Sequence, residues 1–565
     1  MKKSIIVILC ILTIVLVGVL SGCELVNSLT GQDTANVVIP DNTDNSDNTE
    51  TAEAVTDNSV DAEEVTGDFS ITTLDGTYTQ SNNVYTITTV GTYTLEGALN
   101  GQIVVDAGDD DVVVLELNGT TITYSSDSPI KILNADSVEI SAKSGTDNVV
   151  KDTRSHKTTD VDTQGEGAIY AKCDLKIKGT GTLVITANYN NGIHTTKDLT
   201  IQKLSLKVTA YNNAIKGNDS INIKSGTVVA ISTNGDGIKT ENTDANKKGV
   251  TRGDITFGGG SIAIYAAGDG VQAAHNFTMN SADGETSANV VIYTGSYSGY
   301  TASNASTTSY KGVKVQNILS IENGSITLYT YDDGLHADYG TTFEDGTSGV
   351  GTITIAGGTV TAAVYAPANK TATGRPGPGG FNNQQTITGA DGIHADYILN
   401  ITGGTITIDS SYEGLEATII NISGGYTVVY ANDDGINAAK KVNTTPQINI
   451  TGGYLEVNVS PSGDTDGIDS NGTYTQTGGI VIAKGPNSTN MAALDTDGTA
   501  KITGGTLIVL GAFGERGITT SGVSSYSLSL HSSGSHTITV DGVSYTFKNN
   551  YSYGKTICYS SVSVS

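Results

Sequence analysis

The sequence predicts an all-β solenoid, a parallel β-helix of about 12 or more coils with terminal caps. Three observations predict this fold class. A motif recurs from about residue 165 onward, in which an acidic or amide residue precedes Gly and an aliphatic residue follows it. Short β-branched runs with period-2 alternation stand between Gly pairs, as in residues 401–408. Nothing within the repeat has the periodicity of a long helix.

The repeated motif sets the length of one coil. We call its Gly or Ala position the Gly slot, and the slots are Ala168, Gly192, Ala214, Gly237, Gly270, Gly312, Gly334, Gly392, Gly414, Gly435, Gly467 and Ala493. Seven neighbouring pairs are 21 to 26 residues apart, and inserts lengthen the others. A unit of about 22 residues has room for three short strands and three turns. It lacks the Leu-rich consensus of a leucine-rich repeat, and a propeller needs units about twice as long.

Composition narrows the classes of partner. The 565 residues include 30 Lys and Arg against 58 Asp and Glu, a formal net charge of −28. Such a charge argues against nucleic acid or an anionic membrane surface as a partner. A bridging cation is a partner that is more compatible with this negative charge. Only Cys173 and Cys558 remain outside the N-terminal segment, so a disulfide framework is excluded and stability must come from burial and backbone pairing.

The N-terminus predicts export and lipid anchoring. Residues 1–22 combine two Lys with an apolar run and end in Leu-Ser-Gly before Cys23, the pattern of a lipoprotein signal peptide with lipidation of Cys23. A plain signal peptide and an uncleaved anchor are the alternatives. Residues 23–68 contain twelve acids and no Lys or Arg, which predicts an acidic, disordered tether. We therefore expect attachment at the extracellular face of a bacterial cell membrane.

The remaining chain, 69–565, is predicted to be one β-helix domain. Residues 69–165 would form the N-terminal coils and cap, 166–510 the regular coils and 511–565 the C-terminal cap, with a hairpin turn at Asp541-Gly542. Three inserts, Ser281–Tyr310, Asp338–Gly349 and Ala366–Ala390, would overhang the rod. Loops on one face of a solenoid commonly build its binding site.

A file of carboxylates predicts a metal site. The residue before the Gly slot is acidic in five consecutive coils, from Asp333 to Asp466, and like charges about 4.8 Å apart repel unless they are protonated or share a cation. Oxygen ligands favour Ca²⁺. The predicted metal ligands are Asp332, Asp333, Asp391, Glu413, Asp433, Asp434, Asp464, Asp466 and Asp469. The alternative is turn chemistry, because Asp and Asn before Gly favour turns.

A second file predicts contacts to polysaccharide. Alternation places the residue two positions after the slot on the outer side of its strand, where Lys could pair with carboxylates of an acidic sugar and His could bond hydroxyls. The predicted substrate-binding residues are Lys216, Lys239, Lys314, His336, His394, Tyr412 and Glu416. A solvated polar face is the alternative, and for Tyr412 a packed aromatic corner.

Several segments together resemble the clostridial-type carbohydrate-binding β-helix proteins, over about residues 70 to 550. The matching segments are 91–95, 114–119, 144–148, 191–194, 391–396, 411–416 and 433–438, the last reading Asp-Asp-Gly-Ile-Asn-Ala. The resemblance implies a right-handed parallel β-helix shaped like pectate lyases, calcium-dependent structure, and binding of cellulose or polygalacturonate-like chains at the cell surface. The binding that the resemblance implies is without an established catalytic activity.

Three functions are compatible with these observations. The first is a non-catalytic, Ca²⁺-dependent binder of polysaccharide, anchored to the membrane by lipid, monomeric and without a nucleic-acid partner. The second is a calcium-assisted lyase or a polygalacturonase-like hydrolase, although few Arg are available as a base and the carboxylates select no catalytic pair. The third is a surface adhesin or matrix protein. We predict no catalytic residue.

Overall fold

The computed structural model describes residues 60–156, 167–281, 286–299, 309–365, 389–463 and 465–565. Over these residues the chain forms strands β1 to β48, numbered in chain order, a short 3-10 helix at Gly295–Ser298 and no α-helix. Most strands pair in parallel with their counterparts one coil earlier and one coil later, so three parallel sheets enclose one core. The predicted fold class is confirmed. The predicted signal peptide, Cys23 and the tether up to residue 59 lie outside the described residues.

Sheet 1 contains the strands that follow the Gly slot. Strands found in sheet 1 alone are β3 (Val84–Ile87), β5 (Gln102–Asp106), β7 (Ile130–Asn134), β10 (Gly167–Ala171), β13 (Asn191–Thr195), β16 (Ile215–Gly217), β19 (Ile238–Lys239), β22 (Val271–Ala273), β25 (Val313–Val315), β28 (Leu335–Ala337), β37 (Ile436–Ala438), β40 (Ile468–Ser470) and β42 (Leu494–Thr496). Two longer strands, β33 (Ile393–Ile401) and β35 (Leu415–Ile422), pass through the corner and serve sheets 1 and 2.

Sheets 2 and 3 complete each coil. Sheet 2 contains β8 (Ser137–Ala142), β11 (Asp174–Gly179), β14 (Asp198–Gln202), β17 (Ser220–Ile223), β20 (Asp254–Phe257), β23 (Phe277–Met279), β26 (Ile318–Ile321), β31 (Thr352–Ile355), β38 (Gln447–Ile450) and β44 (Thr519–Thr520). Sheet 3 contains β9 (Asp147–Asp152), β12 (Thr182–Ala187), β15 (Ser205–Ala210), β18 (Thr227–Ser232), β21 (Ser261–Ala266), β24 (Asn289–Thr294), β27 (Ser325–Thr330), β32 (Thr359–Val364), β34 (Thr405–Ser410), β36 (Tyr426–Tyr430) and β39 (Tyr454–Asn458). Strands β4 (Gly91–Asn100), β6 (Val112–Tyr124), β41 (Thr473–Lys484) and β43 (Ala500–Leu510) serve both.

The remaining strands are local additions. They are β1 (Ser70–Thr73), β2 (Tyr78–Ser81), β29 (Tyr339–Thr342), β30 (Ser348–Val350), β45 (Ser524–Tyr526), β46 (Gly534–Val540), β47 (Val543–Asn549) and β48 (Thr556–Ser560). Strand β48 pairs antiparallel with β43, so it covers the last edge of sheet 3. Strands β46 and β47 form the hairpin predicted at Asp541-Gly542. Covering an edge removes a template for pairing with another chain.

The core follows the expected alternation. Aliphatic residues after the slot are in register from coil to coil, as in Ile193, Ile215 and Ile238, and each is fully buried. The alternate side chains of each strand point away from the core, because successive strand residues face opposite sides of a sheet. Burial of this ladder stabilises the rod by roughly 25 cal/mol per Å² of apolar surface.

The inserts differ from expectation. Part of the predicted insert Ser281–Tyr310 is strand β24, which pairs with β21 and β27 in sheet 3. The insert interpretation was wrong there because no Gly pair precedes Asn289 in the sequence to mark the start of the strand. Asp338–Gly349 contains the hairpin of β29 and β30, whose Phe343 packs on the ring of His275. Within Ala366–Ala390, only residues 389 and 390 are described.

Residues 60–68, assigned above to the tether, lie along the outer face of sheet 3, and we call them the strap. Val60 is buried against Val229 and Tyr265. The Lys207 Nζ atom lies 3.0 Å from Asp61 Oδ1, and Lys151 pairs with Glu64. Further along, the Val65 amide donates to Thr121 Oγ1 and the Ala98 amide to the Gly67 carbonyl. The strap therefore crosses the coils from β21 back to β4.

Cys173 and Cys558 are both buried free thiols. Among the described residues, no helix has the length and apolar character needed to cross a membrane.

Candidate functional site

The Gly slot is required by close approach rather than by backbone conformation. None of the nine slot glycines has a positive φ. A Cβ atom at Gly435 would overlap Val457 Cγ1 of sheet 3 and approach the carbonyl oxygen of the next slot, Gly467. Ala occupies the slot at Ala168, Ala214 and Ala493, and each of these residues is fully buried. The corner between sheets 3 and 1 therefore brings the residue before the slot into a straight file.

In this file, side-chain oxygens bind the backbone of the next coil. The amides of Asn213, Asp236, Asp269, Lys311, Asp391, Asp466 and Ala492 donate to the side chains of Asn191, Asn213, Asp236, Asp269, Asp333, Asp434 and Asp466, respectively. Each bond satisfies a backbone amide at a buried corner, which would otherwise be costly. Asn and Asp thus have a structural role in the file, but not through the left-handed turn conformation that their position before Gly suggested.

The Asp332-Asp333 pair compensates for a break in this ladder. Lys311 occupies the file position one coil earlier and has no oxygen to accept the amide of Asp333, which instead donates to Asp332 Oδ1 at 2.9 Å. The Lys311 ammonium donates to Asp332 Oδ1 at 2.9 Å and to Asp333 Oδ2 at 2.7 Å. Lys311 therefore neutralises part of the charge assigned above to a metal.

Two consecutive coils carry the same six-residue pattern, Asp-Gly-(Leu or Ile)-His-Ala-Asp, at 333–338 and 391–396, and we call these two segments the His units. In the first, His336 Nδ1 lies 2.8 Å from Asp333 Oδ2, and its Nε2 lies 2.8 Å from Asp338 Oδ1. In the second, His394 is held in the same way between Asp391, at 2.7 Å, and Asp396, at 3.3 Å. Both imidazoles are buried on the outer side of sheet 1.

The following coil continues the network with Glu416, which is aligned with His394. Glu416 Oε2 lies 2.8 Å from His394 Nδ1, and its Oε1 accepts from the Lys441 ammonium at 2.8 Å. Burial alone would raise the pKa of Glu416, but the bonds to His394 and Lys441 outweigh it and lower that pKa to about 2. Glu416 is therefore a permanent anion near neutral pH.

The same contacts set the charge of the histidines. Burial alone would lower the pKa of His394, but the hydrogen bonds to Asp391, Asp396 and Glu416 outweigh it and raise that pKa well above its usual value. The pKa of His336 is raised for the same reason by Asp333 and Asp338. Burial, together with the charges of Asp333 and Glu416, raises the pKa of Asp391 to about 7 despite its bond to His394.

Two groups of three side chains bring potential metal ligands within 4.8 Å of one another. They are Asp333, His336 and His394, and Asp391, His394 and Glu416. Both contain imidazole, whereas Ca²⁺ prefers oxygen ligands only. The donor chemistry of these two groups therefore does not match the predicted ion.

The acidic coils further along the rod match Ca²⁺ better. Burial and the charges of Asp391, Glu416 and Asp434 raise the pKa of Glu413 to about 10. Burial and the charges of Asp466, Asp433 and Asp469 raise the pKa of Asp434 well above its usual value. Burial and the charge of Asp495 raise the pKa of Asp469 to about 6. The main neighbouring charges behind these three shifts are all carboxylates, so the carboxylates of this acidic segment, Glu413 to Asp469, repel one another. Lys441 offsets part of this repulsion at Glu413. Asp464 lies outside the described residues.

The structure places the predicted lysine contacts beside carboxylates of the protein itself. Lys216 Nζ lies 2.9 Å from Glu241, Lys239 Nζ lies 3.0 Å from Asp236, and Lys314 Nζ lies 3.7 Å from Asp338. Tyr412 packs against Gly389, and burial and the nearby Asp433 raise the pKa of its hydroxyl. Asp338, Asp396 and Lys441 were missed as partners, although the repeated six-residue pattern already contained both aspartates.

Comparison with known proteins places this architecture in a family. A profile described as carbohydrate-binding domain-containing protein matches residues 81–364. A protein of that description from Acetivibrio thermocellus is 36% identical over 199 residues, which are 35% of this chain and 68% of that protein. This chain belongs to the carbohydrate-binding domain-containing family. Its β-helix also shares 34% sequence identity with a solved polysaccharide lyase-like protein from C. thermocellum, a gadolinium derivative, over 44% of this chain and 90% of that one, with a TM-score of 0.37. The family match ends at residue 364, before the second His unit at 391–396. Much of the outward-facing polar file of sheet 1 in this carbohydrate-binding domain protein therefore lies beyond the matched segment.

Proposed function

We propose that this protein is a non-catalytic polysaccharide-binding protein held at the cell surface, with a rod stabilised by Ca²⁺. The observation that carries the proposal is the family membership, combined with a polar face on sheet 1 that is continuous from coil to coil. Cellulose and polygalacturonate-like chains are the proposed ligand classes, as in the clostridial-type proteins that the sequence resembles. A rod with repeated polar rungs suits a repeating linear ligand.

Calcium is proposed for the acidic segment rather than for the histidine-containing groups. Glu413, Asp434, Asp466 and Asp469 supply only oxygen ligands from consecutive coils, and a divalent ion between them would remove their repulsion. The two His units already balance much of their charge with Lys311 and Lys441. The ion would therefore have a structural role in rigidifying successive coils.

Catalysis is less well supported by the placement of the arginines. Arg154 pairs with Asp152, and Arg252 pairs with Asp219 and Asp244. An arginine engaged in this way is a poor base for abstracting a proton in lyase chemistry. Surface attachment through Cys23 remains part of the proposal, with the acidic tether as spacer.

Co-sedimentation tests the proposed function. The soluble chain from Glu24 to Ser565 is mixed with insoluble cellulose and with acid-insoluble polygalacturonate, with and without a chelator, and the absorbance of unsaturated products is read in the supernatant. We expect binding without product. Product formation would replace the proposal with a lyase, and absence of binding to both polymers would favour an adhesin.

A further inference from the structure

A cavity of about 600 Å³ opens at the corner between sheets 1 and 2, on a different part of the rod from the His units. Its lining comes from the turns that precede β6, β8, β11, β14, β17 and β20, which are successive rungs of sheet 2. At roughly 4.8 Å per rung, it extends roughly 24 Å along the rod. Cavities of this volume are typical of ligand sites.

The floor of the cavity consists of hydrogen-bond acceptors at coil spacing. Asp174 and Asp198 begin neighbouring strands of sheet 2, and both are exposed. Asp198 Oδ1 accepts from Ser220 of the next coil at 2.6 Å. The Asp198 amide lies 3.4 Å from Asp174 Oδ1 and donates to it, so the two aspartates stand directly one above the other in neighbouring coils. Both aspartates line the cavity.

Donors stand beside these acceptors. Lys172, Lys197 and Lys247 are all exposed and line the cavity. The Lys197 Nζ atom lies 3.9 Å from Asp219 Oδ2. In two consecutive coils, Lys172 with Asp174 and Lys197 with Asp198, the lining therefore places a cationic donor next to an anionic acceptor.

One wall is an insert that is held in place. Residues 241–253 connect sheets 1 and 2 in this coil, and Arg252 Nε donates to Asp219 on the floor at 3.1 Å. Arg252 also pairs with Asp244 of the same insert. The Glu344 amide, in the insert Asp338–Gly349, donates to Thr243 Oγ1 at 3.1 Å. The insert Asp338–Gly349 therefore supports residues 241–253 from the side away from the cavity floor. The cavity is therefore shaped by fixed groups.

The lining chemistry selects the class of ligand. Carboxylates outnumber Lys and Arg in the lining, so a polyanion would be repelled. The side chains that form the lining, as far as the structure describes it, include no aromatic ring that could stack on a sugar face. Alternating donors and acceptors suit hydroxyl groups, which both donate and accept.

We propose that this cavity binds a single chain of a neutral, hydroxyl-rich polysaccharide, through hydrogen bonds to Asp174, Asp198, Lys172, Lys197 and Lys247. The proposal rests on the proposed function and specifies the place and the ligand class within it. The proposed Ca²⁺ of the acidic segment has no part in this site, so binding here needs no divalent ion.

Calorimetric titration of the chain from Glu24 to Ser565 tests the proposal, with soluble cellohexaose and hexagalacturonate as probes. We expect the neutral hexamer to bind, and the Lys172→Ala/Lys197→Ala and Asp174→Asn/Asp198→Asn variants to weaken it about tenfold or more. Lys247→Ala, on the exposed insert, should weaken it severalfold without touching the core. Lys224→Ala, an exposed lysine outside the cavity, is the matched control and should leave affinity unchanged. Raising ionic strength from about 0.1 M to about 1 M, or adding chelator, should change affinity little.

The outcomes separate the two proposals. Full affinity in all three cavity variants would overturn this site while leaving the proposed function intact, as would preference for hexagalacturonate or dependence on a divalent ion. If the unmodified protein binds neither hexamer and sediments with neither polymer, the proposed function fails and this inference fails with it.

Discussion

The imidazole rings of His336 and His394 stack 4.7 Å apart at an interplanar angle of 20°, each between two aspartates of its own coil. Two cations this close would repel, and the five carboxylates around them make the arrangement stable. The stacked pair is therefore a charged element of the rod whose protonation depends on pH.

Stability should decrease as pH rises through the folded-state pKa values of the two histidines. A histidine whose pKa is raised in the folded state contributes stability that is complete below its unfolded pKa, about 6.5. That stability is lost as the pH rises through the folded-state pKa. Asp391, raised to about 7, acts in the same direction. Thermal melts between about pH 6 and pH 9 should show a falling midpoint for the wild type. His394→Gln should reduce this dependence, whereas His536→Gln, half-buried on the hairpin of β46 and β47, should not. A midpoint that rises over this range would contradict the assignment.

Calcium should raise the melting temperature through the acidic segment. An ion at about 100 times its Kd stabilises a folded protein by about 2.7 kcal/mol. We expect chelator to remove this gain, and Asp434→Asn to reduce it, because that carboxylate is buried among other acids. Glu515→Gln changes an exposed acid outside the segment and should leave the response intact. Equal melts with calcium and with chelator would refute the calcium proposal.

The buried pair of Lys484 and Glu456 should stabilise the packing of the C-terminal hairpin on sheet 3. Lys484 Nζ lies 2.6 Å from Glu456 Oε1 and 2.8 Å from the Lys548 carbonyl of β47. Lys484→Ala leaves Glu456 buried without its partner, at a cost of about 3–5 kcal/mol. Hydrogen exchange of residues 534–549 should increase strongly. Lys501→Ala, at an exposed position, serves as the control, and unchanged exchange in Lys484→Ala would show that the pair does not hold the hairpin.

The strap should detach when its contacts are removed. Lys207→Ala combined with Val60→Ser removes an ion pair and a buried side chain, the latter at a cost of about 1.5–3 kcal/mol. The Ala98 amide, which donates to Gly67, should then exchange faster, while the Ile193 amide in the core should keep its rate. A protected Ala98 amide in the double variant would show that the strap is held by other groups.

Substitution at the Gly slot should depend on what faces it. Gly435→Ala forces a Cβ against Val457 and should destabilise the rod by about 1–3 kcal/mol. The added change Val457→Ala should recover part of this loss. Denaturant melts of the two variants provide the measurement. Ala214→Gly, at a slot that already accommodates Ala, should be the milder control. Equal stability of Gly435→Ala and wild type would mean that the corner adjusts freely.

The coil period and the ladder of inward-facing aliphatic residues were predictable because each follows from the pattern of a short stretch of sequence. Aliphatic residues at a constant offset from the slot, such as Ile215, must face the core once the strands alternate. Strand β24 was missed because the sequence before it lacks the Gly pair that marks other strands of sheet 3. The strap was missed because its composition is that of a disordered segment, and only its contacts with Lys207 and Tyr265 reveal its position.

The candidate site was only partly predictable. The acidic file and the outer file were both identified from the sequence, and the structure joins them, because His394 contacts Asp391 of the first and Glu416 of the second. Likewise, Lys216 was recognised as an outward cation, yet its partner Glu241 lies in the next coil. A single sequence does not specify which side chains from neighbouring coils meet.

The sequence by itself determined the fold class, the acidic character and the polar outer face, because period-2 alternation, Gly spacing and charge are properties of short segments. Tertiary structure alone decided which charges neutralise one another, where the cavity opens and how the inserts pack. Thr251 and Asp345 are bonded although they are 94 residues apart, and Lys207 and Asp61 although they are 146 apart. Such contacts depend on the number of coils and the length of each insert between the partners, and these add up only in the folded rod.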